Sequence, residues 1–328
     1  MASRHAHAGA RGPVTVLASR EVRGALRSRL FLVALAMLVL LAILSVTIGA
    51  VAVHRNVADY RQAADALRNL GRTDIPPMPT LNPIAVSKTF INYLAMIGAL
   101  LAMILGLTSF AEERAQGTAS LVLVRPVFRD QVLTGKVVAH ASLLGTLMLA
   151  VGLATWLALR VIGGVALSGD EVVKLFLTMG MSWLYLMTFY LLAVVVSLAV
   201  DDTRSALMLT IILWLVLAFV LPQIGDTMDL DNQIPGGFFA SLGLDKAGEQ
   251  AALAHFRWYE TVRDGVEELS PTKHYERISF ALLGIKQEFA ASTWPEILRM
   301  KWVNLVGLIA PPTVLLGAAY MLFLRKEL

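Results

Sequence analysis

The chain has 328 residues, 57% hydrophobic and only 16% charged, with a mean hydropathy of +0.67, whereas an ordinary soluble domain carries about 25% charge. That composition does not fit a soluble globule, and the absence of cysteine removes a disulfide framework, a thiolate metal site and a thiol nucleophile. A net charge of +4 would draw a polar chain toward nucleic acid; in a chain this apolar the position of the basic residues sets topology instead, and no nucleic-acid partner is expected.

A hydrocarbon core of about 30 Å needs roughly 20 apolar residues in helix. Before the first such run, residues 13–29 place Val14, Leu17, Val22, Ala25 and Leu26 on one arc of a helical wheel and Arg20, Arg23 and Arg27 opposite. This pattern predicts an interfacial amphipathic helix whose arginines reach anionic headgroups; a generic basic flank is the plainer alternative. The run Leu30 to Val53 is too long for a signal h-region and reads as an uncleaved anchor.

The second span runs from about Thr89 to Phe110, and its Gly98, Ala102 and Gly106 recur every four residues, the spacing of a close helix contact, which a dimer seam would use. The loop 111–136 follows. In it Glu112 and Glu113 suit a helix start, Gly117 a break, Leu121 to Val124 an apolar anchor and Pro126 a stop. A short helix lying across the membrane face is the expected product. The third span covers about Val137 to Ile162, the fourth about Leu175 to Val200 and the fifth Ala206 to Ile224, the last two joined by the bend Asp201 to Arg204. Pro222 should end or bend the fifth span, and Pro311 with Pro312 should kink the sixth, Val303 to Leu324.

Between the fifth and sixth spans lies a long insertion. From Leu244 onward Ala251, His255, Tyr259, Val262, Val266 and Leu269 share one helical face, ending before Ser270-Pro271. The apolar stretch Ile278 to Ile285 is too short to span and belongs at the interface or against the spans. The chain thus divides into a tail and amphipathic connecting helix (1–29), five spans (30–224), the insertion (225–302), and a last span with a short tail (303–328).

Six spans put both termini on one side. The terminal side, with the 111–136 loop and the 201–204 bend, holds thirteen basic and seven acidic residues, and the rest of the chain fifteen and seventeen. The bias makes the termini cytoplasmic and the insertion extracytoplasmic, in a multi-pass protein of the plasma (inner) membrane.

The chemistry of an enzyme is missing. Gly135-Lys136 ends a phosphate-loop pattern, but Asp130 stands where the first glycine belongs and Val137 replaces the hydroxyl residue. No cofactor is expected on this chain and no catalytic residue is assigned. Met179, Met181 and Met187 read as packing residues, so no metal site is expected. Asn92, His140, Arg160 and Asn304 sit near span ends, where snorkelling explains them. Tyr185 and Tyr190 lie deeper and are the candidate pathway residues.

Glu112, Glu113, Gly117, Thr118, Arg125, Pro126, Val127, Arg129, Gly135 and Lys136 together follow the pattern Glu-Glu-x-x-x-Gly-Thr, an apolar stretch, Arg-Pro-Val-x-Arg and Gly-Lys. That pattern resembles the first cytoplasmic loop of the membrane subunits of type-2 ABC exporters, including the subgroup associated with nitrous oxide reductase maturation. Arg20-Glu21-Val22-Arg23 and Leu26 to Phe31 are similar to the family's connecting helix.

The resemblance implies an all-α integral membrane protein in which residues 112–120 form a cytoplasmic coupling helix. The ATPase-subunit interface would comprise Glu112, Glu113, Arg114, Gly117, Thr118, Arg125, Pro126, Arg129, Gly135 and Lys136. ATP and Mg would be held by a separate cytoplasmic ABC ATPase, with a second permease copy or homologue, the lipid bilayer and an extracytoplasmic protein as further partners. Export of a substrate is the implied activity. A non-transporting relay of ATPase work to an extracytoplasmic partner is the alternative, and an ion-driven carrier comes third.

Overall fold

The computed structural model describes residues 13–70, 72, 82–115, 129–229, 234, 237–255 and 257–325. Its described residues are helical with no strand, and six helices are long and apolar enough to cross a membrane: Arg29–Asn69, Pro83–Phe110, Asp130–Val161, Gly169–Ala199, Thr203–Met228 and Trp302–Arg325. The chain is an all-α integral membrane protein. We call the end of the bundle that holds residues 13 and 325 the near end, and the opposite one the far end.

The fourth span is the axis. In its most apolar window 78% of residues are buried, against 17% in the fifth and sixth spans. The second span lies closest to it. A Cβ on Gly106 would come within 2.7 Å of Ala193 Cβ and would strike the Tyr190 carbonyl, so only glycine lets these backbones approach. The small-residue stripe therefore serves a contact inside this chain, not a seam between copies. The buried face of the sixth span, Asn304, Leu308, Pro312, Ala319 and Phe323, repeats at helical spacing and turns toward the same axis. Its two prolines sit within one continuous helix, Trp302–Arg325.

Two helices overrun their expected ends. The first continues from Val53 to Asn69, because His54 to Asn69 is rich in Ala, Arg, Gln and Asp and meets no glycine or proline before Gly71. Its last 16 residues reach about 24 Å past the apolar run. The second continues through Phe110 to Ala115. Glu112 and Glu113 thus lie in the last turn of that helix, and the expected helix start at these residues is corrected: Ala111 to Ala115 are strong helix formers, and nothing interrupts the backbone before Gly117. The rest of the expected coupling helix lies outside the described residues.

The leading helix, Pro13–Ala25, packs along the start of the third span. Val14, Leu17, Ala18, Glu21, Val22 and Ala25 are its more sheltered positions, at the spacing of one helical face. Its apolar face was expected in the acyl boundary and is instead applied to protein. The reason is Gly135: a Cβ there would stand 2.9 Å from Leu17 Cβ, so the glycine makes the groove that receives the helix. Arg27 falls beyond the helix, in the turn that Ser28 ends by capping the first span, where its hydroxyl accepts from Phe31 N at 3.4 Å.

Between the fifth and sixth spans the chain folds into a helical hairpin, Arg257–Glu268 and Pro271–Leu282, that enters the bundle from the far end. The single amphipathic helix expected from Leu244 to Leu269 is two pieces, Lys246–His255 and Arg257–Glu268. Of its shared face, Ala251, His255, Val262 and Leu269 are exposed and Tyr259 and Val266 half-buried, while Glu267 is buried and the Arg263 side chain only 19% exposed. The fifth span dictates this. Gly225 makes room for the Glu267 side chain, and Asp226 and Asp229 offer partners to Lys273 and Arg263. The stretch beginning at Ile278 packs against the spans, with Ile278, Leu282 and Leu283 fully buried.

Candidate functional site

The near end is held by a buried ion pair. Lys136 Nζ lies 2.9 Å from Glu21 Oε1 and 2.6 Å from the Ser109 carbonyl, 5.0 Å above the Phe110 ring, with only 3% of the lysine side chain exposed. Glu21 comes from the leading helix, Ser109 and Phe110 from the second span, Lys136 from the third. One ammonium thus ties the leading helix to the two helices on either side of residues 116–128. His140, one turn on, shares its Nδ1 between the Lys136 carbonyl at 2.9 Å and the Tyr190 hydroxyl at 3.1 Å, and Thr134 Oγ1 meets the Tyr320 hydroxyl at 2.7 Å. A buried pair strengthened by a backbone acceptor is costly to break from one side, about 3–5 kcal/mol.

This geometry reassigns two motif residues. Gly135 and Lys136 face the leading helix, so neither offers its surface to another subunit; spacing alone could not separate a lysine facing outward from one facing in. Glu112, Glu113 and Arg114 occupy the final turn of the second-span helix, and Arg129 opens the third-span helix. Gly117, Thr118, Arg125 and Pro126 lie outside the described residues. Arg20, Arg23 and Arg27 are exposed. Glu21, the partner that completes the pair, stands inside the motif Arg20-Glu21-Val22-Arg23, but its role needs the helix crossing to be seen.

A second polar group sits at mid-height. The fourth span carries Tyr185, whose hydroxyl donates to the Ala95 carbonyl at 2.7 Å and lies 3.1 Å from Thr272 Oγ1. Its ring stacks on Tyr275 at 4.6 Å, and the Tyr275 hydroxyl meets Ser182 Oγ at 2.8 Å. On the other side of the hairpin tip, Ser270 Oγ donates to the Leu217 carbonyl at 2.7 Å.

Each of these backbone acceptors lies in a π turn. In the second span, Leu94–Gly98 is a π turn, and the Ala99 N–H that would serve Ala95 in an α-helix donates to Met96. In the fifth, Val216–Val220 is a π turn in which Leu221 N–H donates to Val216. The next donor in that register is Pro222, which has no N–H. Leu217 thus has no donor in that register, and Ser270 supplies one. The sequence marks this only as a proline late in a span and a Ser-Pro pair 48 residues on.

Tyr185 and Tyr190 are therefore fully buried, and their hydroxyls are engaged within the bundle. His140 and Asn304 do not snorkel either: His140 is buried, and Asn304 Nδ2 lies 3.2 Å from His274 Nδ1. A trough of about 430 Å³ runs along the far half of the fifth span, lined by Phe219, Val220, Gln223, Ile224, Thr227 and Met228.

Above the hairpin tip, Glu267 pairs with Arg277 and lies 3.6 Å from Lys273, which pairs with Asp226; Arg263 joins Glu260 at 2.9 Å and Asp229 at 3.7 Å. Charges alternate, and the network fastens the hairpin to the end of the fifth span. Among the described residues no group of His, Asp and Glu has the arrangement of a metal site.

A family model described as ABC-2 family transporter protein matches residues 15–328. That range takes in the leading helix, all six spans and the hairpin. Comparison with curated proteins returns no match.

Proposed function

The chain belongs to the ABC-2 family of transporter proteins, as a membrane permease subunit that works with an ABC ATPase, and from that premise we propose that it couples ATP hydrolysis by a separate cytoplasmic subunit to export of a substrate. The observation that carries the reading is the Glu21–Lys136 pair. It joins the leading helix to the two helices that enter and leave the 116–128 loop, so a push on that loop is delivered to three helices at once. Coupling by a rigid contact of this kind needs no chemistry in the permease itself.

In this reading the near end faces the cytoplasm, which its basic excess favours, and the membrane is the plasma membrane. Glu112, Glu113 and Arg114, at the end of the second-span helix, meet the ATPase. Gly117, Thr118, Arg125, Pro126 and Arg129 complete that contact. Gly135 and Lys136 act behind it, holding the leading helix. The trough on the fifth span supports a working pair: its described lining comes from one helix, and a second copy or homologue would supply the opposite wall. A path along Gln223 and Thr227 fits the geometry better than one past the buried tyrosines.

The test is co-purification. Glu112→Lys with Glu113→Lys should release the ATP-binding subunit while the chain still inserts in the membrane. If the subunit stays bound after that reversal and after deletion of 112–120, the coupling assignment is wrong.

A further inference from the structure

We propose that His274 is an acid-sensitive latch, an imidazole that seats the hairpin on the sixth span while it is neutral and loosens that seat once it is protonated. The residue is only 6% exposed, and its ring joins three helices. Nε2 lies 2.9 Å from the Glu268 carbonyl at the end of the outgoing helix, and Nδ1 lies 3.2 Å from Asn304 Nδ2 on the sixth span. The bed is a glycine: a Cβ on Gly307 would strike three atoms of the imidazole.

These contacts select one protonation state. A carbonyl only accepts, so Nε2 carries the proton, and Nδ1 keeps its lone pair and accepts from the Asn304 amide. A second proton would set donor against donor. Turning the Asn304 amide over would restore an acceptor, yet the charge would still sit in a closed seat with little water to solvate it. Burial, aided by the charge of Arg277, accordingly holds the imidazole below its ordinary value of 6.5, against the opposing pull of Glu268.

The other charges around the returning helix are engaged or turned away. Lys273 pairs with Asp226, Glu267 with Arg277, Arg263 with Glu260 and Lys174 with Asp170, while Lys88 and Lys301 lie over the Phe280 and Phe289 rings. Lys286, Glu288, Glu296 and Arg299 are exposed. Glu276, two residues along, falls on the opposite side of the helix. The fourth span from Leu175 to Val200 and the sixth from Trp302 to Leu324 carry no charged residue. Below the ordinary histidine value a released hairpin therefore takes up a proton that the seated one resists, and the seat weakens as pH falls. The inference concerns helices of this chain alone and does not rest on the ATPase reading.

The experiment is a spin-label distance measurement on the full chain in nanodiscs. The chain has no cysteine, so Val262→Cys on the hairpin and Val306→Cys on the sixth span, both exposed, take the labels cleanly. At pH 7.5 one distance should dominate. From pH 6.5 downward a longer one should grow, its ratio to the first rising by up to about tenfold per pH unit. His274→Gln should make the distribution flat between pH 7.5 and 5.5, and Glu276→Gln should leave the response in place. Asn304→Asp, which turns a carboxylate toward Nδ1, should invert the response, because the charged ring then gains a partner. In case His274→Gln does not fold, ring nitrogen NMR of the unsubstituted chain reads the latch directly, with the proton on Nε2 at pH 7.5. The proposal is overturned if the distances match at pH 7.5 and 5.5, if His274→Gln keeps the response, or if the proton sits on Nδ1.

Discussion

Ser270 donates its hydroxyl to the Leu217 carbonyl at 2.7 Å, and Pro222 is the reason that carbonyl is available. The same serine caps the returning helix of the hairpin, accepting from Lys273 N at 3.4 Å, so a single side chain sets the hairpin tip and repairs the span it touches. Ser270→Ala should cost about 1–3 kcal/mol, the penalty of a buried acceptor left alone. Pro222→Ala restores an N–H in register with Leu217, and in that background Ser270→Ala should cost clearly less. A double-mutant cycle of unfolding in detergent measures the difference; strict additivity would contradict the pairing.

Tyr185 makes the matching repair in the second span. Tyr185→Phe keeps the stack on Tyr275 and removes the bond to Ala95, so the stability loss should again fall at about 1–3 kcal/mol. If the variant unfolds like the parent, the Ala95 carbonyl has another donor and the account of that π turn fails.

The glycine contacts predict a graded response. Gly106→Ala drives a methyl into the fourth-span backbone and should destabilise by about 1–3 kcal/mol. Gly135→Ala meets the Leu17 Cβ at 2.9 Å, and should be relieved by Leu17→Gly in the same chain, which removes that carbon. Relief of Gly106→Ala by Ala193→Gly should be only partial, because the Tyr190 carbonyl cannot be trimmed. Unfolding midpoints of the four variants check the order.

At the bend between the fourth and fifth spans, Asp202 accepts from both the N–H and the hydroxyl of Ser205, and those bonds hold its carboxyl below the ordinary carboxylate value. A depressed acid contributes stability above its unfolded value and loses it as pH falls through the folded one. Below the ordinary carboxylate range the wild type should therefore decline relative to Asp202→Asn, whose side chain still caps the helix but does not titrate. A difference that stays flat across acid pH would remove the cap from the account.

The spans and their number were legible because lipid demands long apolar runs, and the chain supplies six. What lay outside those runs was read less well, for physical reasons. His54 to Asn69 is polar enough to suggest a loop, yet it is helical because propensity, not hydropathy, decides a projecting segment. The face of the hairpin helix was identified by its apolar residues, but its attachment is ionic, through Arg263 to the end of the fifth span and Glu267 to the returning helix. At the site, Gly135 and Lys136 were recognised as a pair with a role, but their direction depends on the crossing of the leading helix over the third span, which no local pattern encodes. Tyr185 was singled out for its depth, and its bond goes to Ala95 in a π turn that leaves no mark in residue type.

The Glu21–Lys136 pair can be tested from both sides. Lys136→Met leaves Glu21 half-buried and unpaired, and should cost about 3 kcal/mol. Adding Glu21→Leu should recover most of that stability without recovering ATPase-coupled activity, since the two helices would then be packed but no longer tied. Full recovery of coupled turnover in the double variant would show that the pair is only packing.

The central claim is that the near end, through the end of the second-span helix, meets the ATP-hydrolysing subunit. The chain has no cysteine, so a single Glu113→Cys thiol in the assembled complex is an unambiguous probe. A thiol-specific crosslinker should join that position to the ATP-binding subunit, with a yield that changes when nucleotide is added, while Asp245→Cys at the far end stays uncrosslinked. Crosslinking from Asp245→Cys and none from Glu113→Cys, in a complex that remains intact, would contradict the account.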